Sequence, residues 1–346
     1  MTTQQPQDAH STQSMAPQLE SPETLFKLGS ALHQQGKLDE ALTCLEKCVE
    51  LEPNFPPAYL ILSKIYRHQN RPNFAAASLI LFLDYEPNSI GVLFDLGNLF
   101  AAYQDYDNAI IYFKRILEVD PSNGSARHAI AALSGETTAA APPEHVQQLF
   151  DDLAASFESH LGELGYNAPE KLKSMLVSLV GNVGHFKNTI DLGCGTGLSG
   201  LQFKTMSTHL TGLDLSQKMV DLAREKNIYD QLLCSDICPF FEKSNKQYEL
   251  ILATDVFVYI GDLTKVFNAI SAHSTPGAYF LFTTELSTEN EYTLRPTGRY
   301  AHSHNHIAAL AKEHGFSIAA SQLENLRTEG LSQIQGELFV LQKLDN

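Results

Sequence analysis

The stretch that decides the fold is Thr189-Ile190-Asp191-Leu192-Gly193-Cys194-Gly195-Thr196-Gly197-Leu198. Its apolar start predicts a buried strand that turns directly into a helix. The three glycines remove side chains where the backbone must bend with positive φ, and they let a ligand touch the main chain. Asp191 closes the strand and favours a ligand with a cation or hydroxyl groups over a pyrophosphate, which it would repel. The stretch therefore predicts a cofactor-binding turn.

The same residues allow two other interpretations. Gly195 to Gly200 satisfies the G-x-G-x-x-G pattern of dinucleotide sites, with Asp214 nineteen residues after Gly195. In that pattern the first glycine follows the strand directly, whereas here Asp-Leu-Gly-Cys comes between. An NAD-dependent oxidoreductase is therefore a remote alternative, and a turn without any ligand is the other. The pattern D-x-G-x-G-x-G accounts for every residue.

That pattern resembles motif I of class I S-adenosylmethionine-dependent methyltransferases. The resemblance implies S-adenosylmethionine as the cofactor, because the acid and glycines of motif I hold its methionine and ribose parts. The residues placed against the cofactor in this way are Asp191, Gly193, Cys194, Gly195 and Gly197.

Length and composition restrict the number of domains and the partners. A chain of 346 residues favours two domains, because single cores seldom grow beyond about 250–300 residues. The net charge of −16 argues against unaided binding to nucleic acid or to an anionic membrane. Five scattered cysteines predict neither a disulfide framework nor a metal site and are typical of a reducing compartment. With no apolar run of membrane-spanning length and no signal-peptide pattern, we expect a cytoplasmic protein.

The N-terminal third repeats itself. Residues 1–20 are rich in Gln, Thr, Ser and Pro and predict a disordered tail. From Pro22 onward the period is 34 residues, with large apolar residues at positions 4, 7, 11 and 24, a small residue at position 8 and alanine at position 20. The residues of the three copies are Leu25, Tyr59 and Leu93 at position 4; Leu28, Leu62 and Leu96 at position 7; Leu32, Tyr66 and Phe100 at position 11; Leu45, Leu79 and Phe113 at position 24; Gly29, Ser63 and Gly97 at position 8; and Ala41, Ala75 and Ala109 at position 20.

This pattern resembles the tetratricopeptide repeat (TPR), in three copies over about residues 22–123, with a closing helix near Arg127–Leu133. We therefore predict an all-α TPR superhelix over residues 21–134. Such superhelices commonly bind a peptide or protein on their concave face, which is the expected partner. Residues 135–144 lack periodicity and contain paired prolines, so they predict an extended linker.

Residues 145–346 alternate strands and helices, as a parallel sheet with crossovers requires. Helices predicted at His145–Leu161 and Pro169–Leu179 precede the first strand. Their sequence resembles that of TPR-containing methyltransferases. In those proteins this region reads F-D-x-Y-A-x-x-F-D-x-H-L and is followed by L-x-Y-x-A-P, and this chain departs from the pattern at Leu153 and Glu158. The resemblance implies a lid over the cofactor, with Phe157 and Tyr166 as its contacts.

Acidic residues end the next two predicted strands. Because ligands bind outside the carboxyl ends of parallel strands, Asp214 and Asp236 should face the glycine turn. By resemblance Asp214, next to Leu215, binds both ribose hydroxyls. Asp236 accepts from the adenine amino group while the Ile237 amide donates to the ring.

The fourth strand and a later segment supply the substrate-side candidates. By resemblance, the strand within Tyr248–Ile260 adds Thr254 to the cofactor site and places Asp255 and Tyr259 near the methyl group. One of Arg299, Tyr300 or His302 is a further candidate for orienting the substrate. His302, His304 and His306 share no helical face and predict a surface cluster. No catalytic base or methyl acceptor can be identified.

The predicted fold is a TPR superhelix followed by a Rossmann-like α/β class I methyltransferase domain. Strand five at Ala278–Thr283 and an antiparallel hairpin at Phe316–Leu326 and Gly336–Lys343 complete a seven-stranded, mostly parallel sheet. The predicted function is S-adenosylmethionine-dependent methyl transfer, with the repeats binding a protein or recruiting the substrate. The alternative from another class is a TPR scaffold with a non-catalytic domain that senses the cofactor.

Overall fold

The computed structural model describes residues 21–181, 185–289, 291–329 and 332–345, so the predicted tail at 1–20 lies outside the described residues. Contacts divide the chain into two compact units, and the boundary between them in the sequence lies between Ser122 and Asn123. The helix predicted to close the repeats is therefore grouped with the second unit. Within the described ranges, no helix combines the length and the apolar character needed to cross a membrane.

The described residues of the first unit form helices that pack in consecutive pairs, and α2 packs on α3 as α4 does on α5. These helices are α1 Pro22–Gln34, α2 Leu38–Leu51, α3 Pro56–His68, α4 Pro72–Tyr85, α5 Ile90–Ala102 and α6 Tyr106–Val119. Ser21 and Asp105 cap the starts of α1 and α6 by accepting from backbone amides. The 34-residue repeat is thus a repeat of helix pairs.

Small residues lie where the paired helices cross. Ala41, Ala75 and Ala109 are fully buried. A Cβ atom at Gly29 would lie 2.7 Å from the Leu45 side chain. The predicted close crossing is therefore present. Position 7 differs between repeats, because Leu28 in the first repeat is 50% exposed whereas its counterparts in the next two are buried.

Two glycines of α5 provide a matched pair of predictions. In Gly97→Ala the new methyl group would lie 2.5 Å from the Phe113 ring, so we expect the free energy of unfolding to fall by about 1–3 kcal/mol. At Gly91 nothing lies within 4 Å, and Gly91→Ala should stabilise the helix by up to about 1 kcal/mol. Urea unfolding followed by circular dichroism measures both. Equal effects at the two positions would contradict close packing at Gly97.

The second unit combines helices with one mixed sheet. Its described helices are α7 Gly124–Ser134, α8 Pro143–Leu153, α9 Phe157–Glu163, α10 Ala168–Val180, α11 Leu198–Phe203, α12 Gln217–Glu225, α13 Ile237–Lys243, α14 Thr264–Ala272 and α15 His304–Glu313. Its described strands are β1 Phe186–Leu192, β2 Ser207–Asp214, β3 Gln231–Cys234, β4 Tyr248–Ala253, β5 Ser274–Leu286, β6 Tyr292–Leu294, β7 Tyr300–His302, β8 Phe316–Glu329 and β9 Ser332–Lys343.

The main sheet has the strand order β3-β2-β1-β4-β5-β9-β8. Strands β1 to β5 are parallel, and β9 runs antiparallel to both β5 and β8. This confirms the predicted mostly parallel sheet with its C-terminal hairpin. The short strands β6 and β7 were not predicted. They form because β5 continues past the core and pairs at Glu285 and Leu286 with β7.

Both faces of the sheet are covered by apolar packing. On one face, Phe280 and Phe282 of β5 pack with Phe257, Phe267 and Phe339. On the other, Leu281 lies in a cluster with Leu172 and Leu176 of α10. Because alternate residues of β5 pack on opposite faces, the central run Ala278–Phe282 is continuously apolar.

The predicted helix before the sheet is wrong in one respect. The single helix at His145–Leu161 is broken by a 3₁₀ turn at Ala154–Ser156, where the Ser156 hydroxyl donates to the Leu153 carbonyl. The segment predicted as the linker makes backbone hydrogen bonds to a later loop. The Ala141 amide donates to Tyr259 at 3.0 Å, and the Ala139 carbonyl accepts from the amides of residues 261 and 262. These bonds tie the segment to the loop after β4.

Candidate cofactor and substrate site

The glycine turn after β1 has the conformation that its sequence predicts. The φ angles of Gly193, Gly195 and Gly197 are 63°, 52° and 95°, a region that other residues rarely adopt. The Cys194 amide donates to the carbonyl of Leu213 in β2 at 2.9 Å. A Cβ atom on the first glycine would lie 2.5 Å from the Val256 side chain. The turn therefore holds bare backbone between the ends of β1, β2 and β4.

Asp214 ends β2 beside this turn and is 9% exposed. Its Oδ2 accepts from the Gly195 amide and its Oδ1 from the Ser216 amide, both at 2.8 Å. Burial raises the pKa of Asp214, and the two backbone donors oppose that shift. Because a carboxylate has about four lone-pair sites, it can accept from a ligand as well.

Asp191 occupies a different position from the one predicted. It is 1% exposed, is absent from the cavity wall, and accepts from the Tyr229 hydroxyl at 2.6 Å. Burial raises the pKa of Asp191 to about 7. Tyr229 was missed by the sequence analysis. Its signal is the pair of glycines at 200 and 212, because a Cβ atom at either would collide with the Tyr229 ring.

The pKa of Asp191 makes the stability of the protein depend on pH. Its value of about 7 in the folded state lies above the ordinary value of 3.8. Between these two values the folded state binds the proton and the unfolded chain does not. The free energy of unfolding therefore falls as pH rises through this range, and it stays lowered above it.

Asp191→Asn tests this linkage. The amide can accept from the Gly200 backbone and donate to the Tyr229 hydroxyl, and it never ionises. We compare the free energy of unfolding of Asp191→Asn with that of the wild type. We expect this difference to favour the variant by about 2 kcal/mol more at pH 8 than at pH 5. Calorimetric unfolding of both proteins at the two pH values measures this difference. A difference between the proteins that does not change with pH would contradict the shifted pKa.

The turn and the strand ends open into one cavity of about 710 Å³ within the second unit. The predicted cofactor residues that line it are Gly193, Cys194, Gly195, Asp214, Leu215, Asp236, Ile237, Thr254, Phe157 and Tyr166. Gly197 and Asp191 do not line it. The cavity thus brings together residues that are 97 positions apart in the chain, between Phe157 and Thr254. Their roles as ligand contacts remain predictions.

The predicted adenine pair is joined by a local hydrogen bond. Asp236 caps the start of α13, and its Oδ1 accepts from the Ile237 amide at 2.6 Å. The amide that the resemblance assigns to the adenine ring therefore donates to its neighbour in this structure. Thr254 is 8% exposed and accepts from the Ser199 hydroxyl at 3.0 Å.

The helices α8 and α9 form a wall of the cavity and are tied to the residues that cap the two ends of α12. Phe150 lies edge-on to Phe157, with ring centroids 6.0 Å apart. Asp151 accepts from the Ser216 hydroxyl at 2.5 Å, two residues from Asp214. Glu158 forms an ion pair with Lys226. The sequence pattern identified these positions but not the polar bonds that fix the wall.

Asp255 and Tyr166 meet on the substrate side of the cavity. Asp255 has a φ of 57°, an uncommon conformation for a non-glycine residue that is often found at functional sites. Thr283 holds it by accepting from its amide and donating to its Oδ1, both at 2.8 Å. The Tyr166 hydroxyl also bonds to this carboxylate, and burial raises the pKa of Tyr166 well above 10.

A charged cluster that the sequence analysis missed lies beside Tyr259. Glu285, at the carboxyl end of β5, is 1% exposed and pairs with three arginines. Its Oε2 lies 2.9 Å from Arg295, while its Oε1 contacts Arg327 and lies 3.9 Å from Arg299. Arg299 in turn donates to the Tyr259 hydroxyl, and burial raises the pKa of that tyrosine.

Two predicted substrate-side residues do not reach the cavity. Tyr300 is fully buried, and its hydroxyl bonds to Thr138 at 2.5 Å. His302 is 1% exposed, with Nε2 at 3.0 Å from the Gly261 carbonyl, and burial lowers its pKa to about 4. The predicted histidine surface cluster is therefore wrong at this position, because β7 inserts residues 300–302 into the sheet.

The residues present fit S-adenosylmethionine. The backbone of the turn faces the cavity without a side chain at Gly195, where a Cβ atom would come into van der Waals contact with the Phe157 ring at 3.7 Å. Asp214 and Asp236 offer acceptors for hydroxyl and amino groups on the same wall. This combination of bare backbone and carboxylates suits a nucleoside with a positive charge better than one with a pyrophosphate.

Family models match both parts of the chain. A methyltransferase domain model matches residues 141–329, and tetratricopeptide repeat models match residues 22–55 and 90–123. The chain therefore belongs to the methyltransferase domain family. The segment between the two matched repeats contains the similar helix pair α3 and α4. The prediction of an S-adenosylmethionine-dependent methyltransferase with TPR repeats is confirmed at this level.

Curated relatives are distant and match less than half of this chain. A ubiquinone biosynthesis O-methyltransferase of Bordetella avium is 23% identical over 167 residues, which is 43% of this chain and 68% of that enzyme. The biotin biosynthesis bifunctional protein BioHC of Saccharophagus degradans is 31% identical over 111 residues, 30% of this chain and 19% of that protein. The matched region thus covers about two thirds of the length of the first relative and under a fifth of the length of the second.

Solved structures with similarity include other methyltransferases. The N-methyltransferase NodS of Bradyrhizobium japonicum, in complex with S-adenosylhomocysteine, is 16% identical, with a TM-score of 0.47, and the match covers 58% of this chain and 99% of that one. Magnesium protoporphyrin IX methyltransferase of Synechocystis is 15% identical, with a TM-score of 0.45 and the same coverages. The family assignment rests on the domain model.

Proposed function

We propose that the cavity of the second unit binds S-adenosylmethionine and that the protein transfers its methyl group to an acceptor beside Asp255 and Tyr259. The observation that supports this most directly is the convergence of the glycine turn, Asp214 and Asp236 on one cavity that also contains both substrate-side residues. The proposal assigns the cofactor to one end of this cavity and the acceptor to the other.

Each residue has a binding or orienting task in this proposal. The backbone of Gly193 and Gly195 contacts the methionine part, and Asp214 accepts from the ribose hydroxyls. Asp236 accepts from the adenine amino group. Phe157 and its neighbours on α8 and α9 exclude water, which strengthens polar contacts within the cavity.

When bound, S-adenosylmethionine would supply a methyl group on a positively charged sulfur that is already activated for attack by a lone pair. The chain must then hold the acceptor atom in line with the sulfur–carbon bond. If that atom carries a proton, we propose that the Asp255 carboxylate accepts it. The bonds from Thr283 and Tyr166 hold this carboxylate in place.

Transfer of a radiolabelled methyl group from S-adenosylmethionine to a cell extract tests the proposed function. We expect the wild-type protein to label an acceptor, and we expect Asp214→Ala to label none at the same cofactor concentration. Separation of the extract into macromolecules and small molecules then locates the acceptor. Cofactor binding without any labelled product would instead support the scaffold with a cofactor-sensing domain.

We propose that the repeats recruit a protein partner in the cytoplasm that brings the acceptor to the second unit. The division at Ser122 supports a truncation that keeps the cavity wall complete, because this wall begins at Ala139. A chain that starts at Asn123 should bind the cofactor as the full chain does and should label its natural acceptor more slowly. Unchanged labelling would argue against recruitment.

A further inference from the structure

Two arginine side chains line the cavity beyond the glycine turn. Arg299 and Arg327 both belong to its wall, and Arg327 is only 8% exposed. Much of the surrounding wall is apolar or aromatic, including Phe150, Leu153 and Val258. A buried charged group is retained when an anionic group compensates it, and Glu285 compensates both of these arginines. Because both guanidinium groups are also part of the cavity wall, they are candidates for binding an anion there.

Glu285 holds both guanidinium groups from behind. It is itself absent from the cavity wall. Its Oε1 contacts one nitrogen of each group, the Nη2 of Arg327 and, at 3.9 Å, the Nη1 of Arg299. Arg295 anchors the other oxygen at 2.9 Å. A guanidinium group has five N–H donors in a planar fork that matches a carboxylate, so Glu285 fixes the direction of groups suited to an anion.

The arginines stand on the acceptor side of the cavity. Arg299 donates to the hydroxyl of Tyr259, in the loop that follows β4. The same loop begins with Asp255 and Val256, and Val256 packs against Gly193 of the turn. The other charged residues of the cavity wall are Asp214, Asp236, Asp255, Asp262 and Lys265. Asp214 and Asp236 are assigned to the cofactor end, whereas Asp255 shares the acceptor side with the arginines.

Aromatic rings lie next to these charges. The rings of Phe150 and Tyr259 meet edge-on with centroids 5.4 Å apart. Phe150 also contacts Phe157, so a row of rings runs from the turn to the arginines. A ligand that fills this part of the cavity needs an apolar or aromatic body and an anionic end.

We infer that the methyl acceptor is a small apolar or aromatic carboxylic acid, whose carboxylate is bound by Arg299 and Arg327. This inference rests on the proposed function, because it names the substrate class of the same cavity. The carboxylate is the anchor of the acceptor, and Tyr259 and Asp255 lie where the accepting atom is placed. The C-terminus of a peptide carries the same carboxylate and is the competing source of this group. The experiment distinguishes it from a small acid.

The experiment uses the full chain and benzoate as the probe, with benzamide as its uncharged analogue. The protein is first titrated with S-adenosylhomocysteine and then, when saturated, with each probe in a calorimeter. We expect benzoate to bind at least about tenfold more tightly than benzamide. Arg299→Gln should weaken benzoate binding by about tenfold, and Arg299→Lys, which keeps the charge and loses the fork, by less.

Arg295→Gln is the matched control, because Arg295 also pairs with Glu285 but does not line the cavity. It should leave benzoate affinity within about twofold of the wild type, and all variants should bind S-adenosylhomocysteine equally. If S-adenosylhomocysteine does not bind the wild type, the proposed function fails. If it binds but benzoate is not preferred over benzamide, only the inference fails. The same holds if Arg299→Gln and Arg295→Gln weaken benzoate binding equally. Methyl label found solely on protein would also overturn it.

Discussion

Replacement of Asp214 by alanine is expected to lower the affinity of the protein for S-adenosylmethionine by about 100-fold. The carboxylate has two tasks that the methyl group of alanine cannot perform. It accepts from the Gly195 and Ser216 amides, which sets the shape of the turn. In the proposed function it also accepts from both ribose hydroxyls. Calorimetric titration of the variant with S-adenosylmethionine measures the loss.

Asp221→Asn is the control for this experiment. Asp221 lies on α12, seven residues after Asp214, and its side chain is 55% exposed. It pairs only with solvent-exposed groups in its own helix, so its loss should leave cofactor affinity unchanged. Asp214→Asn, which preserves volume, separates loss of charge from loss of packing. Wild-type affinity in both Asp214 variants would remove this carboxylate from the cofactor site.

The second large effect is expected at Glu285. Glu285→Gln removes the buried charge that three guanidinium groups share, and we expect the free energy of unfolding to fall by about 3–5 kcal/mol. The reason is that Arg327, whose side chain is 7% exposed, stays in a poorly hydrated region after its carboxylate is gone, whereas Arg295 and Arg299 keep 32% and 29% of their side-chain surface exposed. Arg327, the most buried of them, should contribute most of the cost. Chemical unfolding monitored by circular dichroism measures the change.

An exposed ion pair provides the comparison. Arg224 and Asp221 pair on the surface of α12, where their side chains are 57% and 55% exposed. Because solvent and salt screen such pairs, Asp221→Asn should change the free energy of unfolding far less than Glu285→Gln does. An equally small change in Glu285→Gln would show that the buried cluster does not support the fold.

Local sequence patterns predicted the parts of the molecule that local physics determines. The repeats were visible because helix crossing demands a small residue at fixed positions, as at Ala41 and Gly97. The glycine turn was visible because consecutive positive φ angles exclude other residues. The strand-end position of Asp214 followed from the rule that parallel strands present their carboxyl ends at one edge.

Contacts between distant segments were not predictable in the same way. Tyr229 reaches Asp191 across 38 positions, and Arg327 reaches Glu285 across 42, with no spacing rule to connect them. The strands β6 and β7 have three residues each and exist only because β5 extends beyond the core. Those pairings buried His302 and removed it from the substrate candidates.

A structure of the protein in complex with S-adenosylhomocysteine would show whether the cavity is the cofactor site. We expect the nucleoside in the cavity of the second unit, with both ribose hydroxyls within hydrogen-bonding distance of the Asp214 carboxylate and the adenine beside Asp236. Density for the nucleoside outside this cavity, or an empty cavity at saturating ligand, would contradict this expectation.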